Sequence, residues 1–312
     1  LKKYIKNVQP PFMERSYLDM RELMNFEDEN RYTDKFASKF LQKLIFSKQH
    51  SNIKIREIYL NKIRTLHIVD EKYEKNKCIL YFHGGGYVAG SPETHQNMLL
   101  YLANLSSLQI FAIDYSLSPE NNYPAAINDS IKSYDALLEN GFKNENIYFG
   151  GDSAGGNLAL VSALKLQKLN KKLPKKIFLM SPWTDLTGEG RSIKDNSQSD
   201  PYLSYNDWLS TSLSMKRTVN EWYAPNQDHK DPLISPIFAE YNNFPETLIQ
   251  VSDIEILLSD SQDVAKKLKK GKNKVILSIY KNLPHVWQIF GFLPEAKKAI
   301  REISEFLLTF EG

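Results

Sequence analysis

Residues 151–155 read Gly-Asp-Ser-Ala-Gly, a G-x-S-x-G pattern placed where a β-rich run, 146–151, meets a helical one, 154–170. A serine at such a junction sits on a sharp, strained turn. Small neighbours are required on both sides so that strand and helix can pass closely, and the hydroxyl is then presented at a helix N-terminus. That is the placement of an acyl-transfer nucleophile, here Ser153. Upstream, residues 83–86 read His-Gly-Gly-Gly behind another strand-like run, in a chain with only 14 glycines. Three in a row cost backbone entropy on folding, so bare main chain must serve a purpose there. A serine nucleophile creates a tetrahedral oxyanion, which needs hydrogen-bond donors aimed where the charge develops. The amides of Gly85 and Gly86 are the candidate donors from this loop, with that of Ala154 as the third. His83 is expected to order the loop by hydrogen bonding, with Gly84 and Asp152 as further motif residues.

These motifs need a frame. Residues 53–60 and 63–70 flank Asn61-Lys62 as an opening hairpin, and six further β-rich runs follow at 77–82, 109–115, 146–151, 176–181, 247–252 and 274–280. Their near-continuous apolar character suits strands buried on both faces of a parallel sheet. Helical stretches at 94–106, 124–140, 154–170, 259–270 and 295–310 alternate with them. The pattern predicts an α/β fold built on a mostly parallel, doubly wound, eight-stranded sheet. Residues 1–50 carry aromatic and apolar side chains at helical spacing but no strand. Residues 186–245 interrupt the alternation, with Trp208, Trp222 and Tyr223 on expected helices. The two segments together are expected to form a helical cap, which divides the chain into 1–50 (cap segment), 51–185 (core), 186–245 (cap insertion) and 246–312 (core).

The composition, 42% hydrophobic and 25% charged over 312 residues, is that of a globular protein with a sizeable core. The net charge of +3 is mild, and the lysine-dense stretches 169–176 and 267–274 are expected to be solvated helix ends rather than a nucleic-acid surface. No apolar run is long enough to span a membrane. Residues 1–15 lack the apolar stretch of a signal peptide, and the single cysteine, Cys78, suits a reducing compartment. The expected location is cytoplasmic.

The stretches "HGGGY" (83–87), "GDSAGGN" (151–157), "DYSLSPENNYPAAIND" (114–129), "SPWTDL" (181–186) and "LPHVWQIF" (283–290) together resemble the hormone-sensitive-lipase-like family of α/β-hydrolases. The resemblance runs from about residue 50 to the C-terminus. It implies the α/β-hydrolase fold with a helical cap and a serine carboxylesterase acting on short acyl esters without a cofactor or metal. The triad order is then serine, acid, histidine. Of six histidines, only His285 follows a sheet strand late in the chain and is the expected base. For the acid, "QVSDIEILLSDS" (250–261) offers Asp253, Glu255 and Asp260. Aligning Ser252 and Leu257 with the family's Gly-x-x-Asp-Pro-Leu puts Glu255 at the acid position, with Asp253 as the alternative and Asp260 expected to cap the following helix. Tyr87, Trp183, Trp208, Tyr223 and Trp287 are candidate pocket walls. An amidase, lactonase or deacetylase on the same triad, or a catalytically silent ligand-binding protein, are the other readings. The expected partner is a small acyl ester, with a homodimer as a candidate assembly.

Overall fold

The computed structural model describes residues 53–204 and 207–309; the expected N-terminal cap segment lies outside them. Eight strands form one sheet: β1 (Ile53–Leu60), β2 (Ile63–Asp70), β3 (Glu74–Phe82), β4 (Leu108–Ile113), β5 (Ile147–Asp152), β6 (Lys176–Met180), β7 (Glu246–Ser252) and β8 (Val275–Tyr280). Their spatial order is β1-β2-β4-β3-β5-β6-β7-β8. The hairpin β1–β2 is antiparallel and β2 joins β4 antiparallel; from β4 through β3 to β8 every pairing is parallel. All eight predicted strands are present, and boundaries shift by a few residues at most. β4 ends at Ile113, and the Asp114 amide adds one further bond to β2, at the Arg64 carbonyl, at the end of the strand.

Crossover helices cover both faces: α1 (Pro92–Ser106), α2 (Ala125–Glu139), α3 (Ala154–Lys168), α6 (Leu258–Lys270) and α7 (Pro294–Leu308). β3 illustrates the period-two logic of the sheet. Cys78, Leu80 and Phe82 enter one apolar cluster with α2, α3 and α6, while Ile79 and Tyr81 enter the other with α1 and α7. Both faces are buried, so the central strands are apolar throughout. Burial also pushes the Cys78 thiol upward, consistent with a packed side chain rather than a reactive one.

Between β6 and β7 lie a short helix α4 (Arg191–Asp195), α5 (Trp208–Arg217) and a wider π-turn, Thr218–Tyr223, that carries Trp222 and Tyr223. One expectation about charge is corrected here. Lys176, at the end of the first lysine-dense stretch, is buried at 2% exposure. Its ammonium donates to the Phe306 and Thr309 carbonyls at 2.7 and 3.0 Å, where the negative end of α7 favours a cation.

Candidate active site

Ser153 stands at the β5–α3 junction with φ 52° and ψ −119°, a left-handed conformation that costs a non-glycine residue energy and is kept because the surroundings over-determine it. Its amide donates to the Met180 carbonyl of β6, and its carbonyl accepts from the amides of Asn157 and Trp183. The flanking glycines are steric necessities: a Cβ on Gly155 would lie 2.0 Å from the Phe82 carbonyl oxygen, and one on Gly151 would lie 2.3 Å from the Gly155 carbonyl oxygen. The glycine loop after β3 turns at Gly85, whose φ of +123° and distance of 2.1 Å from a virtual Cβ to the Ala89 carbonyl exclude any side chain. Among the described residues, the amides of Gly85, Gly86 and Ala154 have no hydrogen-bond acceptor.

A cavity of about 130 Å³ joins Ser153, Gly85, Gly86 and His285. His285 follows β8, and its Nδ1 lies 2.6 Å from Glu255 Oε2. The other oxygen, Glu255 Oε1, accepts from the Ser181 hydroxyl at 2.8 Å and the Ser252 amide at 2.7 Å. Glu255 is fully buried and His285 is 4% exposed. Burial opposes charge on the His285 ring, but the bond and the charge of Glu255 outweigh it, and the histidine is held above its ordinary value. Burial likewise pushes the Glu255 carboxyl up, with the His285 bond pulling the other way. Three N–H or O–H donors on two oxygens are what an ionised carboxylate accepts. The arrangement supplies a hydroxyl on a strained turn, an imidazole whose Nδ1 is spoken for, and unpaired amides: the parts of a general-base-assisted acyl transfer.

Of the carboxylates in 253–260, the structure brings Glu255 to the histidine. Asp253 instead accepts from the Asn282 amide. Asp260 is not a helix cap, a correction to the sequence reading: it lies within α6, buried, and accepts from the amides of Thr184 and Asp185. It thereby ties the turn after β6 to α6. His83 does order the glycine loop. Its Nδ1 donates to the Gly84 carbonyl at 2.7 Å, its ring stacks on Tyr115, and burial lowers it to about 4. Asp152 accepts from the Gly84 amide at 2.9 Å, so the two motifs are bonded to each other.

Of the five proposed wall residues, only Trp183 lines the cavity. Tyr87 points beneath the glycine loop, where its hydroxyl donates to Asn157 and its ring stacks on Tyr223 with centroids 3.9 Å apart; both are core. Trp287 is fully buried against Tyr280, Ala296 and Ala299, and its neighbours Val286 and Ile289 face the cavity instead. Trp208 begins α5 over a separate outer groove with Ser212 and Lys216, nearly half exposed, while Met215 and Thr218 further along reach the cavity.

Sequence reasoning missed Tyr202 and Leu203, which line the cavity, and Asp200 behind them. Asp200 accepts from the amides of Tyr202 and Leu203 and, across the gap, from that of Ile256 in the acid loop. The Tyr202 ring lies over His285 with centroids 6.2 Å apart, and burial pushes its hydroxyl up to about 12. His95 was missed too. A polar residue on the apolar stripe His95, Met98, Leu99, Leu102 of α1 was the available signal.

Residues 79–289 match the sequence model of a family described as having the alpha/beta hydrolase fold. An esterase of Acinetobacter venetianus is 33% identical over 264 residues, covering 84% of each chain. The chain belongs to the hormone-sensitive-lipase-like esterases of the α/β-hydrolase fold. An acetyl-hydrolase of Streptomyces hygroscopicus is 31% identical over 240 residues, 77% of this chain and 78% of the relative. Among solved structures, an esterase from the bacterial hormone-sensitive lipase family superposes with a TM-score of 0.83 at 29% identity, covering 98% of this chain and 95% of the other. The esterase EstE5, in a crystal soaked with p-nitrophenyl butyrate, gives 0.84 at 30% identity with the same coverage. The protein is thus a carboxylic ester hydrolase, and no helix among its described residues is long and apolar enough to cross a membrane.

Proposed function

We propose that this esterase hydrolyses short acyl esters through Ser153, His285 and Glu255, with the oxyanion received by the amides of Gly85, Gly86 and Ala154. The observation that carries the proposal is the shared cavity of Ser153 and His285, with Glu255 bonded to the far side of the imidazole. In the first step His285 Nε2 takes the Ser153 proton as Oγ attacks the ester carbonyl. The carbonyl oxygen becomes an oxyanion facing the three amides, and the imidazolium is stabilised by Glu255. The ester C–O bond breaks as His285 returns the proton to the leaving alcohol. Water then enters; His285 takes one of its protons as the water oxygen bonds to the acyl carbon, and the acyl–serine bond breaks as His285 returns that proton to Ser153 Oγ, releasing the acid.

The acyl range follows from size. A cavity of about 130 Å³ is smaller than the ~150 Å³ engineered void that binds benzene, which favours acetyl to butyryl groups over long chains. The same small acyl site, together with the acetyl-hydrolase among the relatives, supports a second reading: removal of an acetyl group from a larger metabolite whose alcohol part lies outside the cavity. Activity on p-nitrophenyl esters from acetyl to decanoyl, with Ser153→Ala alongside, tests both. The expected kcat/KM peaks at or below butyryl and vanishes in Ser153→Ala. Turnover that survives Ser153→Ala refutes the nucleophile, and a peak at octanoyl or longer refutes the acyl range.

A further inference from the structure

A second buried acid–histidine pair lies behind the nucleophile. Asp152 Oδ1 accepts from the Gly84 amide at 2.9 Å and from the Tyr81 hydroxyl at 2.6 Å. Asp152 Oδ2 faces His95 Nε2 at 3.2 Å, and the two residues are 2% and 4% exposed. The second ring nitrogen, His95 Nδ1, meets the Thr94 hydroxyl at 2.8 Å and the Ser91 carbonyl at 3.3 Å, and that hydroxyl lies 2.7 Å from the same carbonyl. A carbonyl can only accept. With the Thr94 proton on Ser91, both ring nitrogens of His95 donate, which is the hydrogen-bonding pattern of an imidazolium. Burial opposes that charge, but the Asp152 carboxylate outweighs it and the ring is held above its ordinary value. The adjacent His83 ring, 5.9 Å away, is neutral by the burial described above. Burial also keeps the Tyr81 and Tyr115 hydroxyls protonated, and Glu93 on α1 is paired with Arg64.

Asp152 and His95 both border the cavity that holds Ser153. A bare carboxylate here would brace the glycine loop through Gly84 and would also repel an oxyanion forming on Gly85 and Gly86, because charges interact strongly where water is excluded. We propose that His95 is a positioning residue for ester hydrolysis: as an imidazolium it cancels the charge of Asp152, so that the carboxylate orients the oxyanion loop without opposing the oxyanion. The inference rests on the oxyanion reading given above. Its effect is confined to the transition state, where the negative charge develops, and so falls on kcat rather than KM.

His95→Gln keeps an N–H for Asp152 and removes the positive charge. Asp152→Asn keeps an acceptor for Gly84 and removes the negative one. The measurement is kcat and KM on p-nitrophenyl butyrate, per serine titrated with a fluorophosphonate. His95→Gln is expected to lower kcat by roughly 10- to 100-fold with KM nearly unchanged. The double variant is expected to recover about tenfold over His95→Gln, because charge balance is restored. Wild-type kcat in His95→Gln overturns the proposal. So does a double variant as slow as His95→Gln, since shape rather than charge would then be what matters. If melting shows His95→Gln unfolded, the double variant is compared with Asp152→Asn alone. A difference within about threefold supports the proposal and a loss of tenfold or more overturns it. Ser153→Ala separates the two levels of failure. Turnover that survives it defeats the serine reading and this inference together, whereas Ser153-dependent turnover indifferent to His95 defeats the inference alone.

Discussion

Replacing Glu255 with Gln tests the proposed triad because the structure dictates how the amide must sit. Glu255 Oε1 receives two donors, the Ser252 amide and the Ser181 hydroxyl, so the carbonyl oxygen of glutamine must take that side. Its NH2 group then faces His285 Nδ1, where Oε2 now lies at 2.6 Å. Two N–H groups cannot point at each other, so the imidazole must move its proton to Nε2, the nitrogen that has to accept from Ser153. The catalytic tautomer is lost and so is the charge that stabilises the imidazolium. With charge centres about 4 Å apart and an effective dielectric near 20, the lost attraction is about 4 kcal/mol, or about three orders of magnitude in kcat; the wrong tautomer adds to it, as in serine hydrolases generally. The assay is kcat on p-nitrophenyl butyrate, with Asp253→Asn as control. The Asp253 carboxylate accepts from the Asn282 amide at an exposed position and makes no bond to His285, and its replacement is expected to cost under tenfold. Glu255→Gln within tenfold of wild type, or Asp253→Asn the slower of the two, refutes the assignment.

Further outcomes follow from the same geometry. Because Glu255 holds His285 above its ordinary value of about 6.5, the acid limb of kcat/KM is expected to have its midpoint above that pH, with activity rising as the ring loses its proton; a pH–rate profile with the limb at or below 6 contradicts this. Asp200→Ala leaves the amides of Tyr202, Leu203 and Ile256 without their buried acceptor. At about 1–3 kcal/mol for each unsatisfied group, a drop in Tm of several degrees by calorimetry is expected, together with a lower acid limb, since Asp200 also favours charge on His285. Gly85→Ala places a methyl against the Ala89 carbonyl at a positive φ and is expected to cost on the order of 10²-fold in kcat, read in the butyrate assay on protein whose far-UV spectrum is unchanged.

The strands and crossover helices were legible because burial on both faces writes an apolar run into each strand, as in 77–82 and 247–252. Ser153 and the glycine loop were legible because their steric demands fall on sequence neighbours. The walls were not. Tyr87, Tyr223 and Trp287 have the size and polarity of pocket residues, yet Asn157, a stacked ring and α7 claim them for the core. Tyr202 and Leu203 carry no motif, and their place at the cavity depends on Asp200 reaching the Ile256 amide.

The amino-acid sequence alone determined the strand–helix order, the turn that presents Ser153 and the need for naked amides at Gly85 and Gly86, because each is written into a few neighbouring residues of chain. Which carboxylate meets His285, thirty residues away, was decided by the tertiary structure. So were the pairing of His95 with Asp152 across 57 residues and the approach of Ser181 to the Val286 amide across 105. Contacts of that kind depend on how strands and loops pack in three dimensions, and a change of an ångström or two would give the same residues different partners.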